Sequence, residues 1–156
     1  MVENWGVKKN GGQAAQALGR SRGGFSTKIH AGCIDEKRGV SCVLTGGERN
    51  DMPGFDAVFD QIPAENDLDN AVMDKGYDSN HIRDKLKEEG MNPVIPPKSN
   101  RKEVIDYDKD VYKLHEKVER FFNSLKQFRR IATRYDKLGH IFLAFIHIVA
   151  SCLIIK

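Results

Sequence analysis

The stretch from Asn70 to Ile95 constrains the fold more than any other part of this chain. An apolar run, Ala71-Val72-Met73, closes on Asp74; a helical segment of about Asn80 to Glu89 is stopped by Gly90; and Pro93-Val94-Ile95 is stopped by Pro96-Pro97. Two short strand signals separated by one helix make a β-α-β unit, whose strands run parallel. Upstream, Ser26–Cys33 and Val40–Thr45 are runs with β-branched residues on either side of Asp35-Glu36-Lys37-Arg38-Gly39, the pattern of an antiparallel hairpin. Phe55, Val58, Phe59 and Ile62 then recur at helical spacing until Pro63. A long helix is predicted over 111–135, and Gly139 separates it from an apolar helix, Ile141–Ile155. The fold class is therefore α/β, a mixed sheet with flanking helices.

The 156 residues amount to one domain. Residues 1–24 are rich in Gly, Gln, Ala and basic residues without an apolar period and read as a flexible loop or tail; residues 25–156 read as the ordered domain. The apolar run Ile141–Ile155 is 15 residues, shorter than the roughly 20 that a membrane span needs, so a buried helix and no membrane partner are expected. His147 in its middle reads as a core or pocket residue. Cys33, Cys42 and Cys152 form no Cys-x-x-Cys pair and follow no signal peptide, which points to a reducing cytoplasm, with neither a zinc site nor a disulfide expected.

Charge is segregated along the chain. Lys and Arg number 25 against 22 Asp and Glu, a net of only +3, yet residues 53–92 are acidic and 113–137 hold eight Lys and Arg against Glu116, Glu119 and Asp136. One face should therefore suit a polyanion.

On a helix over 111–135, Leu114, Val118, Phe121, Leu125 and Phe128 form one stripe, the expected core face. Tyr112, Glu119 and Lys126, spaced by sevens, form a second stripe with His115 beside it. Asp74 ends a strand on the side where open α/β sheets place their ligands, so Asp74 and Glu119 could converge. Two carboxylates without His or Cys partners suit a hard cation such as Mg²⁺, and Lys126 could hold a phosphate. Spacing alone leaves open a solvated helix face that happens to carry a Glu and a Lys. Gly19-Arg20-Ser21-Arg22-Gly23-Gly24-Phe25-Ser26 has the glycine spacing of a P-loop, but Phe25 stands where its Lys belongs and no strand precedes it. Nucleotide triphosphate binding is rejected. Arg20 and Arg22 fit a DNA-backbone contact or a plain surface loop.

Several segments together resemble the C-terminal part of a bacterial insertion-sequence transposase of the Asp-Asp-Glu class, insertion-sequence family five, with an IS4-like transposase domain. They are Ala17 to Gly24, Leu44 to Met52, Asp74-Lys75-Gly76-Tyr77-Asp78-Ser79, Val94 to Pro97 with Asn100-Arg101-Lys102, and Glu119 to Asn123 through Phe128 to Lys137. The resemblance covers about residues 15–150. It implies a ribonuclease-H-like fold, catalytic and metal-binding roles for Asp74 and Glu119, Mg²⁺ or Mn²⁺ as cofactor, and DNA as partner. Arg20, Arg22, Tyr112, His115, Lys126, Arg129 and Arg130 are the residues expected to contact that DNA, both element ends and target. Tyr112, Glu119 and Lys126 match a Tyr-x2-Arg-x3-Glu-x6-Lys signature whose Arg is His115 here. The family also implies more than one protomer in the active complex.

The first Asp of the class has no counterpart: Met1 to Gly12 offers only Glu3, and neither Asp35 nor Asp51 sits where that residue should. The first strand of the sheet is expected to be missing or incomplete, and the chain alone to be inactive. Two function classes follow. One is the catalytic C-terminal portion of a transposase, completed by an upstream half or full-length transposase; the other is a non-catalytic fragment that binds DNA or transposase and can inhibit it.

Overall fold

The computed structural model describes residues 11–21, 23–35, 37–62, 68–103 and 105–155. Expectations that fall on Glu3, Arg22 and Pro63 lie outside them.

The predicted hairpin is the larger sheet. β1 (Gly19–Ser21), β2 (Gly24–Cys33) and β3 (Gly39–Gly46) are ordered β1-β2-β3, all antiparallel. β2 pairs with β3 from Thr27 opposite Gly46 to Cys33 opposite Gly39. On its other edge, among the described residues, Gly24–Ser26 are paired with β1. The β-α-β unit is present as well: β4 (Asn70–Val72) and β5 (Asn92–Val94) pair in parallel, and the intervening helix packs on β5. The structure is thus a mixed α/β fold built on two small sheets.

The helices are α1 (Gly12–Ala15), α2 (Met52–Phe59), α3 (Asn80–Glu88), α4 (Lys109–Tyr112), α5 (His115–Lys126), α6 (Arg129–Ala132) and α7 (Gly139–Ile155). The single long helix predicted over 111–135 is three: α4, α5 and α6. The Asp108 carboxylate accepts from the Asp110 and Val111 amides and caps α4, while Phe128 is extended, at φ −83° and ψ 106°, and parts α5 from α6. These breaks correct the predicted core stripe. Phe121 and Leu125 are fully buried, whereas Leu114 is 45% and Phe128 40% exposed, and Ile131 enters the core in their place.

Two hydrophobic clusters result. Phe121, Leu125, Ile131, Phe142, Ile146, Val149 and Ala150 join α5, α6 and α7 to Cys42 of β3. Gly39 makes this approach possible, because a Cβ there would stand 2.6 Å from Cζ of Phe121. Phe55, Ile82, Leu86 and Ile95 join α2 and α3 to the smaller sheet. α7 buries one face only, and His147 lies on its exposed face instead of in the core. Among the described residues, no helix is long and apolar enough to cross a membrane.

Within the first 24 residues, Gln16, between α1 and β1, is tied to the C-terminal region. Arg134 donates to the carbonyl of Gln16 at 2.9 Å and to Oγ1 of Thr27, and the buried Gln16 side chain accepts from the Gly139 amide at 2.8 Å. The last of these bonds satisfies the first amide of α7, one of the groups that a helix N-terminus otherwise leaves orphaned.

Candidate active site

Asp74 lies two residues past the end of β4 and caps a 3-10 turn, Lys75–Tyr77, by accepting from the Gly76 amide. A side chain at Gly76 would meet two carboxylates, for an added Cβ would lie 2.7 Å from Oδ1 of Asp74 and 2.9 Å from Oδ2 of Asp51. The glycine is therefore needed for the close approach of both. Asp51 precedes α2, and its other oxygen accepts from Nζ of Lys28 on β2 at 2.9 Å; Lys28 also donates to the Arg49 carbonyl at 2.6 Å. Sequence reasoning passed over Asp51 because it asked only whether this residue matched the first Asp of a motif.

Behind these carboxylates lies a buried polar chain that no sequence signal announced. His30 on β2 bonds through Nδ1 to the Tyr77 hydroxyl at 2.9 Å and through Nε2 to Oγ1 of Thr45 at 2.8 Å. Gly54 of α2 lies against the imidazole, where a Cβ would fall 2.4 Å from Nδ1. Burial, followed by opposing effects of Asp51 and Lys28, lowers the His30 pKa. A neutral ring carries one donor and one acceptor nitrogen, which suits a hydroxyl at each end. Burial first, and then Asp51 and Asp74, push the Tyr77 hydroxyl up, so it stays protonated.

Glu119 comes from the opposite side of the fold, on α5. Its carboxylate is 3.7 Å from Nδ1 of His115, one turn earlier, and the His115 ring stacks on Tyr112 with centroids 5.4 Å apart. Burial raises the Tyr112 pKa, as do Asp74, Tyr107 and Glu119 in that order. Tyr112 therefore feels both candidate catalytic carboxylates. A cavity of about 840 Å³ lies between the two halves of the protein, and Asp74, Glu119, Asp51, Lys28, His115 and Lys126 all line it.

The other predicted contacts are less concentrated. Arg20 is exposed on β1, and Arg129 is exposed on α6. Arg130 forms a two-pronged pair with Asp136, at 2.6 and 3.0 Å, and lies 4.8 Å over the Phe145 ring. Arg22 is outside the described residues. As a test of metal fit, the acidic groups lining the cavity offer oxygen donors only, the set preferred by hard divalent cations. Among the described residues, no group of three or more His, Cys, Asp and Glu is close enough to hold an ion.

The turn that carries Asp74 is anchored by Asp78. Its buried carboxylate receives Arg83 at 2.9 and 3.0 Å, Arg101 at 2.9 Å and the Lys98 amide at 2.9 Å, and Arg83 continues to the Ile95 carbonyl. Burial would raise the Asp78 pKa, but the Lys98 amide and the two guanidiniums prevail and hold it below the usual carboxylate range. Charges buried in this way are stable only when paired and hydrogen-bonded. Asp78 and Arg101, 23 residues apart in sequence, are thus one structural lock.

Residues 4–155 match the family described as Transposase DDE domain. Among curated proteins, the chain is 29% identical to one named as a transposase for insertion sequence element IS6501 of Brucella ovis, over 81% of this chain and 96% of that protein. It is 28% identical to one named as a transposase for insertion sequence element IS402 of Burkholderia cepacia, over 96% of this chain and 70% of that protein. No solved structure matches. With nearly its whole length inside the family match, this chain belongs to the DDE-domain transposases.

Proposed function

We propose that the chain supplies Asp74 and Glu119 to the phosphoryl-transfer centre of an insertion-sequence transposase of family five, within a ribonuclease-H-like arrangement of which it is the C-terminal portion. The observation that carries this reading is that Asp74, at the carboxyl end of a parallel strand, and Glu119, from a helix 45 residues further on, line one cavity. A divalent ion, Mg²⁺ or Mn²⁺, would be held by these two carboxylates. When bound, such an ion stabilises the attacking and leaving oxygens of an in-line displacement.

The chain's own residues do the rest. Lys126 and His115 flank Glu119 and suit a DNA phosphate, His115 when protonated; the exposed Arg20 and Arg129 extend the basic surface. Lys28 neutralises Asp51 beside Asp74, and the His30–Tyr77 bond holds the turn that carries it. Transposition has two displacements, water cutting the element end and the freed 3′-hydroxyl then joining target DNA. In each, one P–O bond forms as another breaks. An upstream Asp-bearing transposase segment and more than one protomer complete the active complex, on DNA in the bacterial cytoplasm.

The test is nicking of element-end DNA in Mg²⁺, with the upstream transposase segment supplied. Asp74→Ala and Glu119→Ala should each abolish nicking and leave salt-sensitive DNA binding intact. DNA binding without nicking in the unaltered chain would instead identify a non-catalytic binder.

A further inference from the structure

The last helix leaves an apolar strip uncovered along its length. On a helix of about 3.6 residues per turn, Ile141, Ile148 and Ile155 fall in line, with Ala144 and Ser151 on one flank and Phe145 and Cys152 on the other. Phe145 is half-buried beneath Arg130, and the others are all exposed. Between Gly139 and Ile155 the chain has no Asp, Glu, Lys or Arg, so the strip has no ionic group with which to hold a charged partner. It presents no unsatisfied hydroxyl either, because Oγ of Ser151 donates to the His147 carbonyl of its own helix at 2.9 Å. Cys152 acts there as a small hydrophobe. An exposed strip of this kind marks a contact with another apolar surface.

The strip matches itself. Ile141 and Ile155 lie seven residues from Ile148 on either side, and the flanking residues lie three or four away. Consider a second α7 laid antiparallel across a two-fold axis at Ile148. Along the centre, Ile148 meets Ile148 and Ile141 meets Ile155. On one flank Phe145 of each copy meets Cys152 of the other, bulky against slim; on the other flank Ala144 meets Ser151, both small enough to let the helices close. Each flank is then filled evenly from end to end. A parallel pair would set Phe145 beside Ala144 at one end and Cys152 beside Ser151 at the other, splaying the helices, and would align their dipoles unfavourably. One patch that serves both partners is what a two-fold interface requires. The longest stretch outside the described residues, 1–10, carries Glu3, Lys8 and Lys9 and has no such mirror order. The strip covers about 21 Å by about 10 Å on each copy, far short of the roughly 800 Å² per partner of a standard interface. Pairing is therefore weak and operates where copies are concentrated.

We infer that two copies of this chain associate weakly through α7, antiparallel about a two-fold axis at Ile148. The inference names a contact for the proposed second protomer and rests on that reading for its role only; association is read without DNA or metal. Sedimentation equilibrium of the full chain between about 10 and 500 μM should show monomer and dimer with no larger species. Ile148→Glu, at a position already 60% exposed, should abolish the dimer and keep the circular dichroism spectrum. Oxidation with copper phenanthroline reads the register. In the antiparallel pair, positions 144 and 151 of opposite copies lie within about 2 Å along the axis, inside disulfide reach, whereas the two native Cys152 stand about 12 Å apart along it. A mixture of Ala144→Cys and Ser151→Cys chains, both carrying Cys152→Ser, should therefore crosslink at least about tenfold faster than either variant alone or than Cys152 in the unaltered chain. Four results would overturn the proposal: a monomer throughout the range, a dimer that survives Ile148→Glu, a mixture that crosslinks no faster than its components, or rapid linking of Cys152 to Cys152, which would assign a parallel pair. None of the four would touch the role of Asp74 and Glu119, which nicking tests separately.

Discussion

Asp51 and Asp74 reach the same point from either side of Gly76, each with an oxygen within 3 Å of where a Cβ would stand. One carboxylate comes from the loop before α2 and the other from the end of β4, so the pair bridges the two sheets through Lys28. The arrangement depends on the missing side chain at position 76.

Gly76→Ala should therefore push the two carboxylates apart while leaving the cores untouched, since the obstructing atoms are side-chain oxygens. The expected outcome is Mn²⁺ affinity lowered about tenfold, equivalent to roughly 1.4 kcal/mol, with a melting temperature within about 3 °C of the parent. Titration calorimetry and a thermal melt on the same sample check both parts.

Asp78 should be the most sensitive charged position. Removing one partner of a buried pair leaves an uncompensated charge and costs about 3–5 kcal/mol. In Asp78→Asn the guanidiniums of Arg83 and Arg101 would lose their counter-charge, and the melting temperature should fall by about 6 °C or more. Acid provides the same test in the unaltered chain. The folded Asp78 pKa is depressed, so its contribution is complete above the unfolded value near 4 and is lost as pH falls through the folded one. Urea melts at descending pH should show this loss in the parent and much less of it in the variant.

His30 carries the opposite kind of charge change with the same sign in pH. Its folded pKa is lowered by burial, so the unfolded chain binds the extra proton, and the stability of the neutral ring is full above about 6.5 and declines as pH falls below it. Between pH 7.5 and 5.5 the parent should lose stability, and His30→Gln should flatten that slope. Denaturant titrations at four pH values distinguish the two.

Thiol labelling probes the packing of the hairpin. Burial pushes Cys33 up to about 12 and Cys42 up to about 11, whereas Cys152 is exposed on α7. Because the thiolate is the nucleophile, a maleimide at pH 7 should modify Cys152 at least 100-fold faster than the other two, as resolved by peptide mass spectrometry. Equal rates would show that the β2–β3 face is open to solvent.

How much of this was legible beforehand depended on whether the signal was local. The hairpin, the parallel β-α-β unit and the apolar last helix were readable because turn residues and alternation mark them within a few positions. The break at Phe128 was not, since the helical period of apolar residues continues through it while the backbone turns extended; at Leu114 the backbone stays right-handed and only its hydrogen bonds shorten to the i−3 carbonyl. Asp74 and Glu119 could be singled out through the resemblance of the segments that carry them, since spacing alone left a solvated helix face open. Asp51 and His30 could not, because what matters about them is what Gly76, Gly54, Tyr77 and Thr45 place around them, and those are contacts between segments distant in sequence.

The most direct test of the central claim is Mn²⁺ binding followed by electron paramagnetic resonance in the chain and in Asp74→Asn and Glu119→Gln. If the two carboxylates hold one ion, the parent should bind a single Mn²⁺, and each substitution should lower its affinity at least tenfold without changing the fold by circular dichroism. Equal binding by all three proteins would contradict the account.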